Sequence, residues 1–258
     1  MKSFLVILFL LSSLHAATIT IVSTVNCPYT CADDAADKGF LVDMVSYVFE
    51  KSGYDVVYTT LASHKEALAA VKEGKFNLMI GADSKKDKGL IYMKKPLGYT
   101  YNVIAVPKYS KWKYTSVKSF DKLRLAAIQE LDYDQEIGEY IRKYKYDSAK
   151  VQMKSGHLAR KQNLKGLRFE KVDALIDDRV ALRYFYFKIK KPFAFKIAHT
   201  AQSNPIEIAF SPRTYRSKKY KELLYKGLRR LERSQTLKEI MQVYGLSEAY
   251  IRPFSSAH

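Results

Sequence analysis

The stretch Tyr54–Ile80, YDVVYTTLASHKEALAAVKEGKFNLMI, has the residue order of a strand, a helix and a second strand. It begins with branched and aromatic residues typical of a strand. Ser63 and Glu66 form a capping-box signature that starts a helix, and Gly74 is placed to end it. The apolar run FNLMI then follows as a strand. A helix between two strands predicts a parallel pair with the helix packed on the sheet.

The same alternation extends in both directions along the chain. A strand and a helix precede Tyr54, and a second strand–helix run follows, with Asp132 placed to cap its first helix. Two extended segments bracket that second run, which predicts an α/β fold of two lobes joined by two hinge strands. We expect residues 18–105 and 206–258 to form one lobe and residues 106–205 the other. The additional strand segments are ATITIVST (17–24), LRLAAI (123–128), KVQM (150–153) and DALI (173–176), and the bracketing segments are YNVIAVPK (101–108) and NPIEIAFSP (204–212).

The first seventeen residues have the pattern of a secretory signal peptide: one lysine, a short apolar core and small residues after it. The core is shorter than the roughly 20 residues that a membrane span needs. We therefore predict cleavage of residues 1–17 and export to the periplasm. Export permits a disulfide between Cys27 and Cys31, although this spacing is equally compatible with free thiols. The histidines are scattered, so we expect no metal site.

The formal net charge of +18 admits two interpretations. A strongly basic protein can bind anionic polymers or membrane surfaces. However, the lysines are spread along the whole chain, and no recognised nucleic-acid motif accompanies them. We therefore predict a solvated basic surface and no nucleic-acid partner.

In open parallel sheets, ligands bind beyond the carboxyl ends of the strands and at helix N-termini. This rule selects five loops of the chain as candidate ligand contacts. They are NCPYT, GADSKK, QELDYD, KSGH and DDR. No Gly-x-Ser-x-Gly motif and no phosphate-binding glycine loop occurs in the sequence, which argues against a hydrolase or a nucleotide enzyme.

Several segments in a fixed order carry a resemblance to a known family. The chain resembles the periplasmic solute-binding proteins of amino-acid-type ABC transporters, which have the bilobal Venus flytrap fold. The resemblance implies a monomer without a cofactor that binds a small-molecule solute and docks on a membrane permease. It rests on PYTCADDAADKGFLVDMVSYVFEKSGY, AVKEGKFNLMIG, KSFDKLRLAAIQ, FEKVDALIDDRVALRY and the C-terminal IAFSPRTYRSKKYKELLYKGLRRLERSQTLKEIMQVYGL.

The same resemblance implies a set of ligand-binding residues. Asp178 matches the aspartate that receives a solute's α-amino group, and Lys88 falls where the family has a carboxylate-binding arginine. Asp83 falls where a hydroxyl is expected, and Tyr29 lies near the position of a stacking aromatic. The complete set of candidate ligand-binding residues is Tyr29, Asp83, Ser84, Lys88, Glu130, Asp132, Tyr133 and Asp178.

The acidic departures from the family pattern leave the nature of the solute open. A lysine cannot make the two-pronged carboxylate contact of an arginine, and Asp83 would repel a carboxylate. The solute is then cationic or polyhydroxylated, or it is an ordinary amino acid held by backbone N–H groups and Lys88, or the site is degenerate. Two further functions also stay open: a sensory adaptor for a membrane kinase, and a lyase or dehydratase that uses Glu130. We expect a binding protein rather than an enzyme.

Overall fold

A computed structural model of the chain describes residues 17–156 and 158–247, apart from the side chains of residues 202 and 203. The predicted signal peptide thus lies outside the described residues, except for Ala17. The described strands are β1 (Ala17–Ser23), β2 (Tyr54–Thr60), β3 (Leu78–Ala82), β4 (Ile91–Tyr92), β5 (Gly98–Pro107), β6 (Leu125–Ile128), β7 (Val151–Lys154), β8 (Ala174–Asp178) and β9 (Phe195–Phe210). The described α-helices are α1 (Phe40–Glu50), α2 (His64–Lys72), α3 (Gln135–Tyr144), α4 (Ala159–Arg168), α5 (Arg179–Lys188), α6 (Ser217–Leu231) and α7 (Gln235–Val243).

The strands follow the order β2-β1-β3-β9-β5-β8-β6-β7, and β4 pairs with β9. Strands β1, β2 and β3 are mutually parallel, as are β6, β7 and β8. Each parallel set arises because a helix returns the chain to the same edge of the sheet before the next strand. The result is the predicted pair of α/β halves. We call the half that contains β1–β3 the first half and the half that contains β6–β8 the second half.

Apolar side chains cover both faces of each half. In the first half, α1, α6 and α7 pack on one face and α2 packs on the other. In the second half, α3 packs on one face, and α4 and α5 pack on the other. Strands β3, β6 and β8 are buried at nearly every position, as expected of parallel strands covered on both faces, and they begin with short continuous apolar runs. The edge strand β2 has no buried residue.

Strands β5 and β9 connect the two halves. They pair with each other in antiparallel fashion along the whole of β5, from Gly98 opposite Ile206 to Pro107 opposite Phe195. β9 also pairs with β3 of the first half, and β5 pairs with β8 of the second. The two bracketing segments of the sequence are therefore both strands that run between the halves.

The helix starts agree with the sequence at one position and differ at another. The Ser63–Glu66 capping box is present at α2, as predicted. The cap of α3 is Asp134, whose carboxylate accepts the backbone N–H of Ile137 at 2.9 Å, so the assignment to Asp132 is wrong. Only Asp134 immediately precedes the first helical residue, Gln135, and an N-cap carboxylate must reach the N–H of the third helical position.

Candidate ligand site between the two halves

The loop after β1 carries Tyr29 and is covalently closed. A disulfide joins Cys27 and Cys31 on either side of it, with a Cα–Cα distance of 4.4 Å. The backbone of Gly39 lies against this loop, and a Cβ atom there would come within 2.5 Å of the Tyr29 carbonyl oxygen. The glycine thus allows α1 to start close to the loop, and Tyr29 is buried against Phe40 with ring centroids 5.2 Å apart.

The hydroxyl of Tyr29 reaches across to the second half and donates to Asp178. It lies 3.1 Å from Asp178 Oδ1 and 3.0 Å from Oδ2. Asp178 ends β8 and is also the N-cap of α5, because Oδ1 accepts the N–H of Ala181 at 2.7 Å. Its Oδ2 accepts the N–H of Tyr101 on β5 at 2.8 Å. A single carboxylate therefore ties together the Tyr29 loop, a hinge strand and a helix start.

Asp178 is 2 % exposed, and its environment opposes ionisation. Burial raises the pKa of Asp178 to about 6, although the hydrogen bonds from Ala181 and Tyr101 act in the opposite direction. Burial also raises the pKa of Tyr29 well above its usual value, and the Asp178 charge adds to that shift. The tyrosine therefore stays a neutral donor to a carboxylate that is costly to charge.

A second buried carboxylate, Asp177, is paired with an arginine that the sequence did not single out. Arg160, in the first turn of α4, donates from Nε to Asp177 Oδ2 at 2.8 Å and from Nη2 to Oδ1 at 2.9 Å. This two-pronged pair is the strong form of a carboxylate–guanidinium contact. Asp177 also accepts the N–H of Asp178 at 2.7 Å. The Arg160 charge is thus committed to Asp177, and Asp178 receives its described hydrogen bonds from neutral groups.

The loop after β3, GADSKKDK, is held mainly by contacts within itself. Asp83 accepts the N–H of Lys85 at 2.9 Å, and Asp87 accepts the N–H of Asp83 at 2.8 Å. Ser84 donates from its N–H and hydroxyl to Glu207 on β9, at 2.6 and 2.9 Å. The exposed Lys88 donates to the carbonyl of Ser84 at 2.9 Å. The predicted ligand groups of this loop are therefore engaged by protein groups of the loop itself and of β9.

Lys86 links that loop to the second half. Its ammonium lies 3.3 Å from Asp83 and 3.6 Å from Asp132. All three groups keep substantial solvent exposure, which makes this a weak ion pair. Asp132 is nevertheless placed opposite the first half, and its carbonyl accepts the side-chain amides of Asn102 and Asn204 at 2.6 and 3.2 Å.

The remaining two predicted residues are engaged within the second half. Glu130 is exposed and accepts the N–H of Gly156 at 2.8 Å, which joins two loops at the carboxyl ends of β6 and β7. The Tyr133 hydroxyl donates to the carbonyl of Ile128 at 2.7 Å and accepts its N–H at 2.8 Å. Burial raises the pKa of Tyr133. This tyrosine therefore completes the end of β6 with a polar bridge.

The structure thus divides the predicted residues into three groups. Tyr29 and Asp178 are in direct contact across the junction between the halves, whereas Asp83, Ser84 and Lys88 are held by contacts within the loop after β3 and with β9. Glu130, Asp132 and Tyr133 lie in the loop that follows β6. Arg160 joins the first group although no motif marked it. The only sequence signal available was its position, four residues after the Gly156 turn in one of the five candidate loops.

Helix α5 extends the contact between the halves. Val180 is buried within the core of the first half, and the Tyr184 ring lies 5.9 Å from that of Tyr244. Phe187 packs directly on Gly245, where a Cβ atom would come within 2.2 Å of the Phe187 ring. At the end of the helix, Lys188 lies 3.4 Å from Asp37. Apolar packing therefore continues outward from the Tyr29–Asp178 hydrogen bond.

Other features of the described residues add no competing site. Two surface grooves, of about 330 and 260 Å³, lie along α6 and at the corner between α6 and α7, and no candidate ligand residue lines either of them. Residues 17–156 and 158–247 contain no group of three histidine, cysteine, aspartate or glutamate residues placed to hold a metal ion. Within the same residues, no helix is both long and apolar enough to cross a bilayer.

Residues 19–247 match the family of bacterial extracellular solute-binding proteins, family 3. Since the match covers most of the chain, the protein belongs to this family. No curated protein sequence matches the chain.

Solved structures with the same fold are distant in sequence. An ancestral cationic amino acid solute-binding protein, AncCDT-1, is 14% identical, covering 92% of this chain and 96% of that one, with a TM-score of 0.65. Substrate-binding domain 2 of GlnP from Lactococcus lactis is 18% identical over 88% of this chain and 94% of that one, with a TM-score of 0.62. A histidine kinase sensor domain is 16% identical over 90% and 98%, with a TM-score of 0.61. These similarities confirm the bilobal α/β fold.

Proposed function

We propose that the protein is an exported binding protein that captures a small solute with an ammonium group between its two halves and delivers it to an ABC transporter permease. Asp178 receives the solute's ammonium. The observation that carries the proposal is a buried carboxylate, at the end of β8 and at the junction of the halves, whose described hydrogen bonds come from neutral donors. A bound cation would be the positively charged partner that the described contacts of this carboxylate do not include.

The Arg160–Asp177 pair supports an ammonium rather than an anionic group as the part of the solute held here. An additional carboxylate beside Asp177 and Asp178 would place three negative charges against one partly buried guanidinium. An ammonium instead balances the set of two carboxylates and one guanidinium. Relatives with the same fold bind arginine or cationic amino acids, which makes amino acids and polyamines the first solutes to test.

Tyr29 has a defined part in this mechanism. The Tyr29 hydroxyl occupies the position from which a donor reaches both oxygens of Asp178. The solute's ammonium takes this position and donates to the carboxylate in place of Tyr29. The tyrosine then turns toward the solute or away from it as the halves separate about β5 and β9. Solute binding stabilises the closed arrangement of the two halves, because only in that arrangement do both halves contact the solute.

The proposed division places residues 18–105 and 206–258 in one lobe and residues 106–205 in the other. Both boundaries fall within β5 and β9, where a small change of backbone angles would reorient one half against the other. Residues 1–17 serve as the signal peptide that exports the chain as a monomer to the periplasm.

A sensory role is the second candidate, because a histidine kinase sensor domain shares the fold over nearly its whole length. An enzymatic role has less support. AncCDT-1 is described as a precursor of cyclohexadienyl dehydratase, but Glu130 of this chain is exposed and engaged with the backbone of a neighbouring loop. We propose that the protein is not an enzyme.

A thermal-shift screen of the chain lacking residues 1–17 tests the proposed function. The probes are L-arginine, L-glutamine, putrescine and glucose, each with the wild type and with Asp178→Ala. We expect an ammonium-bearing probe to raise the melting temperature of the wild type and to lose that effect in the variant. Stabilisation by glucose alone, or an equal response of both proteins, would contradict the proposal.

A further inference from the structure

The edge of the second half farthest from Asp178 carries a concentration of positive charge. Since β6, β7 and β8 are parallel, the segments that precede them lie at one edge, together with the end of the antiparallel β5 and the start of β9. We call this edge the basic pole. It comprises residues 108–110, 121–124, 145–150, 168–173 and 189–196.

Contacts between side chains and backbone join these segments into one surface. The Tyr109 hydroxyl donates to Glu170 at 2.6 Å, and Arg124 forms a two-pronged pair with Asp173. Lys150 donates to the carbonyl of Asp121 at 2.6 Å. In the same way, the ammonium of Lys196 donates to the carbonyl of Ser110 at 2.9 Å. The basic pole is therefore continuous.

The composition of the basic pole differs from that of the rest of the chain. Its 27 residues include ten lysines and arginines against four aspartates and glutamates, a net charge of +6 out of the chain's +18. Two of the four carboxylates are occupied by Tyr109 and Arg124. Most of the cations are exposed, namely Lys108, Lys122, Lys145, Arg168, Lys171, Lys190, Lys191 and Lys196.

Large apolar side chains project from the same surface. Tyr146 is 90% exposed, Tyr109 71%, Phe169 59% and Ile189 42%. Two of these rings have a neighbouring cation, since Lys145 lies 4.7 Å from the centre of the Tyr146 ring and Arg168 lies 5.8 Å from that of Phe169. Exposed aromatic rings beside lysines suit the boundary between water and lipid, where the ring enters the headgroup layer and the ammonium remains at the surface.

We propose that the basic pole is a docking surface for an anionic lipid bilayer. Lysines near such a surface are attracted to the lipid headgroups, and their contributions accumulate with number. Eight of the ten cations are lysines. This composition favours a lipid surface over sequence-specific nucleic-acid binding, because the recognition of base edges favours the arginine fork. Docking through this pole leaves the junction of the halves, at the opposite end of β8, accessible to solute.

Co-sedimentation with lipid vesicles at physiological salt tests this proposal. We expect the wild type to pellet with vesicles of equal parts phosphatidylglycerol and phosphatidylcholine but not with phosphatidylcholine alone. The triple variant Lys145→Glu, Lys171→Glu, Lys191→Glu should lower the partition coefficient at least tenfold. The matched control is Lys218→Glu, Arg229→Glu, Lys238→Glu, which makes the same charge change at exposed positions of α6 and α7 and should retain most of the binding.

A second variant separates the aromatic contribution from charge. Tyr146→Ser combined with Phe169→Ser leaves the net charge unchanged and should weaken partitioning severalfold. The proposal is overturned if the wild type does not pellet with the anionic vesicles, or if both triple variants lose binding equally. It is also overturned if the aromatic variant binds like the wild type, or if single-stranded DNA competes the protein off the vesicles through the same residues.

Discussion

Two strand ends of this protein, those of β3 and β8, are both rich in charge but differ in what surrounds that charge. After β3, Asp83 accepts N–H groups of its own loop and is paired with the exposed Lys86. Asp87 is 5% exposed and is satisfied within the first half, by the N–H of Asp83 and the ring of His64, each at 2.8 Å. At the end of β8, Asp177 and Asp178 are 1% and 2% exposed and lie where the two halves meet. The two strand ends therefore differ in the position of their buried carboxylates relative to the junction of the halves, and not in charge density along the sequence. This difference is the reason that we propose Asp178 as the solute contact.

The largest expected difference is in the free energy of unfolding that is lost when the cation at each strand end is replaced by methionine. Arg160→Met leaves Asp177 buried without its partner, and breaking such a pair costs about 3–5 kcal/mol. Lys86→Met removes an exposed pair and should change the free energy of unfolding by at most about 1 kcal/mol. Urea denaturation of the three proteins measures both values. Equal losses would remove the distinction between the two strand ends.

The next difference appears in the dependence of stability on pH. The pKa of Asp178 is raised from 3.8 to about 6 by burial, so the folded protein keeps a proton in the pH range where the unfolded chain has lost it. The stabilisation that the proton provides is complete below pH 3.8 and is lost as the pH rises through about 6. A shift of about two pKa units corresponds to about 3 kcal/mol.

Asp178→Asn removes that titration. Relative to the wild type, the variant should therefore gain stability as the pH rises from about 4 to about 6, with no further relative change above that range. Denaturant titrations at a series of pH values measure the difference. Asp83→Asn is the control, because Asp83 lies in the more exposed loop and its pKa is lowered rather than raised. Parallel profiles for wild type and Asp178→Asn would contradict the account of the buried carboxylate.

A smaller effect distinguishes two tyrosine hydroxyls, one in the disulfide loop and one on β4. Tyr29→Phe removes a donor to a carboxylate, which is worth about 1.5–3 kcal/mol, whereas Tyr92→Phe removes a donor to the backbone carbonyl of Asp87, worth about 0.5–1.5 kcal/mol. Both variants keep the ring and its packing. Thermal and urea unfolding should rank Tyr29→Phe as the more destabilised protein. The reverse order would mean that the hydrogen bond across the junction contributes little.

The sequence predicts the fold well because its signals are local. Short apolar runs, the Ser63–Glu66 capping box and the glycines after helices each act within a few residues, and the structure has strands and helices at the corresponding positions. The misassigned cap at Asp132 is a local ambiguity between two aspartates separated by one residue. Even the disulfide across Cys27 and Cys31, which the sequence left open, joins residues four positions apart.

The candidate site could be predicted only in part because its contacts are not local. Asp178 was recognisable from the DALI segment, but its contact with Tyr29 joins positions 149 residues apart. Likewise, the sequence could not show that Arg160, rather than Lys88, lies beside the buried carboxylates, because this depends on which helix start faces the end of β8. A charge pattern cannot show which carboxylate is buried, and this property decides the chemistry of the site.

Isothermal titration at pH 7 tests the central claim most directly. The tightest-binding ammonium solute from the screen is titrated into wild type, Asp178→Ala and Tyr29→Phe. Asp178→Ala should weaken binding at least tenfold, about 1.4 kcal/mol, because the ammonium loses its carboxylate. Tyr29→Phe should tighten binding severalfold, because the solute no longer displaces an internal donor. If both variants bind the solute with the wild-type affinity, Asp178 is not the place where this protein holds its ligand.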